Sequence, residues 1–412
     1  MDRLPLCVVA LVILRLAAQL ALEALNRAEA RRNADRCPDA VAGVMDAATY
    51  ESSVRYTLAK GRLGSVEAVY DAVVLLALLF SGALPWLWVQ FSGLAAGAAW
   101  SGALLVVVTM ILPGLLSLPL EWWSQFRLEE AFGFNKSTLG LWAADQVKYL
   151  LLGLVIGFPV VWALLELAGR TGLYWWVWGF ALMFGVRILM IVLYPKLILP
   201  LFNKLSPLPD GEQRAGLLAL ARSAGFKART IEVMDGSRRS GHSNAFFTGF
   251  GRFRHIVLFD TLMTQLAPGE LEAVLAHEIG HYKCGHVPKI IALTALLEFG
   301  AFAVVAWLAR VPWFNAAFGL PGGALAPTFV LLGLLGGLVT FWFTPAVNWL
   351  SRRNEFEADG FARSAVGSSA PMIGALRKLS QGNLSNLTPH PLYSMVYYSH
   401  PTLVERERAL QK

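Results

Sequence analysis

The chain has 412 residues, of which 56% are hydrophobic and only 15% charged, with a formal net charge of +7. That balance excludes an ordinary soluble domain and demands a lipid environment. No basic recognition motif accompanies the charge, which excludes nucleic acid as a partner, and three cysteines are too few for a disulfide framework.

Seven apolar stretches lie near 4–25, 66–90, 94–120, 146–168, 173–195, 288–308 and 324–349. Each can cross a hydrocarbon core of roughly 30 Å, for which about 20 helical residues suffice. The first contains Arg15 and lacks an Ala-x-Ala ending, so it reads as a retained span and not as a cleaved signal peptide. Trp86, Trp88, Trp122, Trp123, Trp175, Trp176 and Trp178 sit close to span ends, where an aromatic belt forms. Glu67, Asp71, Glu166, Arg187 and Glu298 lie near or within spans and must face protein or water. Lys and Arg concentrate after spans one, three, five and seven, which puts the N-terminus outside and the long polar segments in the cytoplasm. The Ala-, Leu- and Gly-heavy composition suggests a bacterial inner membrane.

Between spans five and six, Thr230–Met234, Ser243–Gly249 and His255–Phe259 read as short strands, with β-branched and aromatic residues between turn residues. A free strand edge can pair with an extended peptide. Asn244 and Ala245 are the candidates for that edge, with the Asn244 side chain on the substrate backbone. The alternative is an ordinary Asn-containing strand end. Pro268–Ala276 then opens with helix-start chemistry and leads into His277-Glu278-Ile279-Gly280-His281. An i, i+4 spacing stacks both imidazoles on one helix face, where they can share one cation, and Glu278 is placed as a general base acting on a metal-activated water.

A catalytic zinc takes three protein ligands and keeps one position open. Past span seven, Glu355 and Asp359 share a helix face while Glu357 points elsewhere, which makes Glu355 the third ligand and Asp359 the carboxylate that orients a ligand histidine. Cys284 reads as helix packing, and His242, His255, His286 and His390 as structural. The metal-binding helix ends near Gly285 and Pro288 begins span six, so a membrane hairpin separates the ligands in sequence. Glu270, Glu272, Tyr282 and Lys283 flank the motif too closely for a buried span, placing the metal near the cytoplasmic interface.

Together with Glu129–Lys136, Pro200–Pro209, His242–Phe250 and His400-Pro401, these segments resemble the type I CAAX prenyl endopeptidases. Those are integral-membrane zinc metalloproteases that cleave prenylated C-terminal tails. The shorter bacterial heat-shock membrane proteases share the zinc segments but resemble the chain over less of its length. The resemblance implies a predominantly α membrane protein whose seven transmembrane helices enclose a chamber, capped by a cytoplasmic zincin-like α+β metalloprotease domain. The chain then divides into helices 1–5 (1–199), a zincin subdomain (200–287), helices 6–7 (288–349) and a helical C-terminal part with the third ligand (350–412). It implies one Zn2+ per chain and a peptide or protein substrate at the bilayer, prenylated or not. His400, followed by Arg406, also matches the family. His400 is expected to donate a hydrogen bond to the oxyanion, or else to be a surface histidine before a proline-started helix, and Arg406 is expected to contact substrate. A non-catalytic zinc-dependent binding protein would have no use for an intact general base, and a transporter would show paired repeats that the chain lacks.

Overall fold

The computed structural model describes residues 3–35, 37–95, 97–226, 231–248 and 255–412. Helices α1 (Arg3–Arg32), α2 (Ala47–Phe80), α3 (Ala83–Leu94), α4 (Ala99–Trp123), α5 (Leu139–Leu152), α6 (Phe158–Thr171) and α7 (Trp175–Leu193) make up most of the N-terminal half. Among the described residues, six helical runs are long and apolar enough to cross a membrane: Arg3–Arg32, Ala47–Phe80, Ala99–Glu129, Leu139–Phe202, His286–Ala309 and Leu325–Val366. The run Leu139–Phe202 is 64 residues long and holds two of the seven expected stretches, with Gly172 at φ 57° between them.

The stretch expected at 66–90 is divided differently. Asp46 caps α2 by accepting from the Thr49 N–H at 2.8 Å, so that helix starts far upstream. It ends at Phe80, where Gly82 takes φ 85°, and Pro85 falls in the first turn of α3. Apolar composition ran on through a turn that only glycine adopts without strain. Leu79, Leu84, Leu105, Val106, Val330 and Leu331 form the buried core of the bundle. Arg187 meets Glu298 at 3.2 Å, so each has an opposite charge in an apolar helix.

After the short α8 (Leu199–Phe202), the chain forms a four-stranded sheet of β1 (Leu205–Pro207), β2 (Ile231–Met234), β3 (Ala245–Thr248) and β4 (His255–Phe259), with α9 (Glu212–Ser223) between β1 and β2. The order is β1-β2-β4-β3, with β2 and β4 parallel and both outer pairs antiparallel. Thr230 and Gly249, expected at strand ends, lie outside the described residues. β1 was not expected; Pro207 is tolerated there because β1 is an edge. β3 is the other edge. The sheet buries Ile231, Ile256 and Leu258 against Leu217 of α9 and Leu271, Leu275 and Ile279 of the helix α11 (Pro268–Lys283), which follows α10 (Asp260–Gln265).

The chain continues through α12 (His286–Ala309), α13 (Pro312–Ala316) and α14 (Leu325–Thr340). A single turn at Phe341–Phe343 leads into α15 (Thr344–Val366), so the boundary drawn at 349/350 falls inside one helical run. Helices α16 (Ala370–Gly382), α17 (Pro391–Tyr397) and α18 (Leu403–Gln411) complete the fold and pack around α11 and α15.

Candidate metal centre

Helix α11 is set by its first turn. Pro268 occupies the first helical position and the Glu270 carboxylate accepts from the Ala267 N–H at 2.8 Å. Its inner face buries Leu271, Leu275 and Ile279 on the sheet, which turns His277 and His281 toward α15. The two helices approach closely at Gly280, where a Cβ would stand only 3.0 Å from Ala358 Cα and 3.1 Å from its carbonyl oxygen. Glycine at this position therefore lets Glu355, three residues before Ala358, come within reach of both imidazoles.

There His277 Nε2 lies 3.2 Å from His281 Nε2 and 3.4 Å from Glu355 Oε2, and His281 Nε2 lies 3.2 Å from Glu355 Oε1. His277 and Glu355 are buried, and among the described residues Glu355 Oε2 has no hydrogen-bond partner, although Arg406 Nη1 lies 3.7 Å away. A buried carboxylate oxygen without a donor is expensive. The outer nitrogens sharpen the point. His277 Nδ1 lies 2.9 Å from Asp359 Oδ1, an acceptor, so the proton of a neutral imidazole belongs on Nδ1 and leaves a lone pair on Nε2. If His281 likewise carries its proton on Nδ1, two nitrogen lone pairs and a carboxylate converge on one small space. Two nitrogens and an oxygen arranged in this way fit a divalent cation.

Asp359 is in turn gripped by Arg406, whose Nε and Nη2 donate to its two oxygens at 2.8 and 2.6 Å. Both side chains are buried. Arg406, expected to contact substrate, is thus committed to holding the carboxylate that holds His277. The fork uses two of the five guanidinium N–H donors, and Nη1 of the same group lies 3.7 Å from Glu355 Oε2, so Arg406 faces both carboxylates.

His281 has an equivalent support that sequence reasoning missed. Gly285 takes φ 69° and turns the chain between α11 and α12, and the fully buried His286 folds back to place Nδ1 3.0 Å from His281 Nδ1. His286 Nε2 in turn lies 3.1 Å from Glu357 Oε2. His286 was read as structural and Glu357 as pointing elsewhere. Glu357 does point away from the convergence of His277, His281 and Glu355, but toward the ring that orients His281. The i, i+2 separation of Glu355 and Glu357, paired with His281 and His286, was the available signal.

Glu278 stands beside this group and makes no hydrogen bond or ion pair among the described residues. Burial pushes its carboxyl above the usual range, opposed by the neighbouring His277 and His281. Burial alone would strip the proton from His277, but the Asp359 carboxylate at 2.9 Å and the neighbouring Glu355 carboxylate prevail and lift it to about 9. His400 Nε2 lies 3.6 Å from Glu355 Oε1, and Ser399 Oγ meets its Nδ1 at 3.0 Å. Two residues of α15 that the sequence reading did not single out hold this segment. Asn348 Nδ2 donates to the Val396 carbonyl at 2.6 Å, and Arg352 Nη1 donates to that of Tyr398 at 2.9 Å. His400 also lines a cavity of about 510 Å³ together with Tyr56, Lys60, His242, Asn383 and Tyr398.

The edge strand β3 opens at Ala245, two residues later than the Ser243 start expected, and Asn244 immediately precedes it. The Asn244 side-chain oxygen is occupied locally, accepting from the Ala245 N–H at 2.8 Å. Asn383 braces the approach to the strand, accepting from the Ser243 N–H at 3.1 Å and donating to its carbonyl at 3.3 Å.

A family model described as peptidase family M48 matches residues 207–412, the half that carries His277, Glu278, His281, Glu355, Asp359, His400 and Arg406. The chain belongs to peptidase family M48. The preceding residues 26–204 match the model of the CAAX prenyl protease N-terminal region with five membrane helices. Among curated relatives, the CAAX prenyl protease 1 homolog of Arabidopsis thaliana is 35% identical over 90% of each chain. CAAX prenyl protease 1 of Saccharomyces cerevisiae is 34% identical over 91% of this chain and 88% of its own. The crystal structure of S. mikatae Ste24p superposes with a TM-score of 0.89 at 30% identity, covering 98% of both chains. This M48 member is an integral-membrane metalloprotease.

Proposed function

We propose that the protein is a zinc endopeptidase of seven membrane crossings around a chamber, acting on CAAX-type C-terminal tails of membrane-associated polypeptides. The zinc site would face the cytoplasm and the N-terminus the outside of a bacterial inner membrane. The observation that carries the chemistry is the convergence of His277, His281 and the undonated oxygen of Glu355. The donor set, two imidazole nitrogens and a carboxylate oxygen with room for a fourth group, suits zinc. When bound, zinc would polarise the scissile carbonyl and acidify water.

The protein's own groups do the rest. The edge of β3, unpaired among the described residues, aligns an extended peptide by main-chain pairing, with Ala245 opening the strand and Asn244 just before it. Glu278, unencumbered and raised by burial, accepts the proton of the attacking water and delivers it to the leaving amine. His400, held by its neighbours on α15 and by Ser399, donates from Nε2 to the oxygen that gains charge. Asp359 and Arg406 fix the tautomer of His277, and His286 with Glu357 fix that of His281. The names of the relatives support tails that end in a prenylated cysteine motif as substrate.

Mass spectrometry of products from detergent-purified protein, offered farnesylated CAAX peptides and their unprenylated counterparts, tests this reading. Cleavage directly after the modified cysteine is expected. Equal cleavage of unrelated unprenylated peptides would replace it with a broader membrane peptidase.

A further inference from the structure

Cys284, His286 and Glu357 offer a second set of metal-binding atoms immediately behind His281. A sulfur, an imidazole nitrogen and a carboxylate oxygen here lie within 4.8 Å of one another. Cys284 follows the last turn of α11, His286 opens α12 after the Gly285 turn, and Glu357 reaches across from α15. Cys284 and Glu357 are half-buried, so the group is reachable from solvent, while the His286 ring is fully buried. A thiolate, an imidazole and a carboxylate select a soft or borderline divalent cation such as Zn2+ or Cd2+ over Mg2+ or Ca2+.

The proton pattern of the neighbouring imidazoles decides what occupation would do. With its Nε2 turned to the catalytic site, His281 keeps its proton on Nδ1 and donates it to His286 Nδ1 across 3.0 Å. His286 then carries its own proton on Nε2 and donates it to Glu357 across 3.1 Å. A cation taken by Cys284, His286 Nε2 and Glu357 needs that Nε2 lone pair. Cys284 releases its proton to solvent on binding. A neutral His286 must then carry its proton on Nδ1, facing the N–H of His281. Two N–H groups cannot share that gap, so His281 loses its orienting acceptor.

We infer that Cys284, His286 and Glu357 form an inhibitory second site for a soft divalent cation, whose occupation loosens the grip of His281 on the catalytic metal. The inference rests on His281 being a ligand of that metal. It makes Cys284 a regulatory ligand, where the sequence suggested packing only.

The test uses full-length protein in detergent with Cys7 and Cys37 replaced by serine, a phosphine reductant, and Zn2+ or Cd2+ added beyond one equivalent. Metal content, cadmium–thiolate absorption in the ultraviolet and peptide cleavage are followed together. Expected are a second bound equivalent, a cadmium–thiolate band, and inhibition that tracks both and reverses with a weak chelator. Cys284→Ser should keep the first equivalent and the basal activity, lose the band, and raise the inhibitory concentration at least by the roughly tenfold that loss of an orienting partner costs a metal site. Inhibition unchanged in Cys284→Ser, or a first equivalent with no second, would overturn the inference and leave the catalytic assignment intact. Failure to bind even one equivalent would strike the catalytic reading itself.

Discussion

Gly280 and Ala358 bring α11 and α15 into backbone contact, where a Cβ on residue 280 would stand 3.0 Å from the Ala358 Cα. The glycine lies between the two histidines of the motif, and Ala358 lies between Glu355 and Asp359. The contact therefore sets the distance between the two halves of the metal centre. Neither side can yield easily, because the obstacle is backbone. Gly280→Ala is expected to displace Glu355 by a few tenths of an ångström and weaken metal binding about 10–100-fold, the range seen when a supporting group is lost. Intrinsic helix propensity favours alanine over glycine by about 1 kcal/mol. A metal competition titration that found unchanged affinity would show that α15 is not positioned by this contact.

Glu278→Gln separates metal binding from proton transfer. The substitution keeps size and shape at a side chain that makes no hydrogen bond among the described residues, so folding and metal content should be unchanged. Turnover should fall by about 10²–10⁴, the usual contribution of a positioned general base. A purified variant with full metal content and wild-type kcat would remove Glu278 from the mechanism.

Arg406 and Asp359 form a buried pair, and two substitutions of the arginine should respond differently. Arg406→Ala strands the Asp359 carboxylate in the interior, for which the expected loss is about 3–5 kcal/mol of stability. Arg406→Lys keeps the charge but loses the fork, so it should retain most stability and lose metal affinity. Were Arg406 a substrate contact, the lysine variant would instead raise KM with metal affinity unchanged. Parallel measurements of melting temperature, metal affinity and KM distinguish the two.

The i, i+4 spacings of His277 with His281 and of Glu355 with Asp359 made most of the metal centre legible in the sequence, because helical periodicity places such residues on one face regardless of what surrounds them. The edge strand was legible for a similar reason, through its short run of β-branched and aromatic residues. The support of His281 was not. It depends on Gly285 adopting a positive φ, and a turn of that kind reverses a ring's direction without leaving any periodic trace. Arg406 is 47 residues from Asp359, and only packing of α18 against α15 joins them. The membrane helices show the complementary limit. Hydropathy located the apolar material but ran through the Ser81–Gly82 break, since composition reports burial and not backbone direction.

The proton on His277 competes with the metal for the same nitrogen, and this gives metal binding a pH dependence of definite sign. In the metal-free protein, burial of the ring is outweighed by the Asp359 and Glu355 carboxylates beside it, which lift its pKa to about 9, against 6.5 for an unperturbed histidine. Because the folded value is the higher one, this interaction stabilises the metal-free fold fully below 6.5 and is lost as pH rises to about 9. A cation must displace that proton, so apparent metal affinity should climb about tenfold per pH unit across the same window and flatten above it. Chelator-buffered titrations between pH 6 and 10 would reveal the slope, and His277→Gln should abolish it along with most of the affinity. A flat affinity across the window would mean that His277 is already neutral in the empty site, with no proton on Nε2 for the cation to displace.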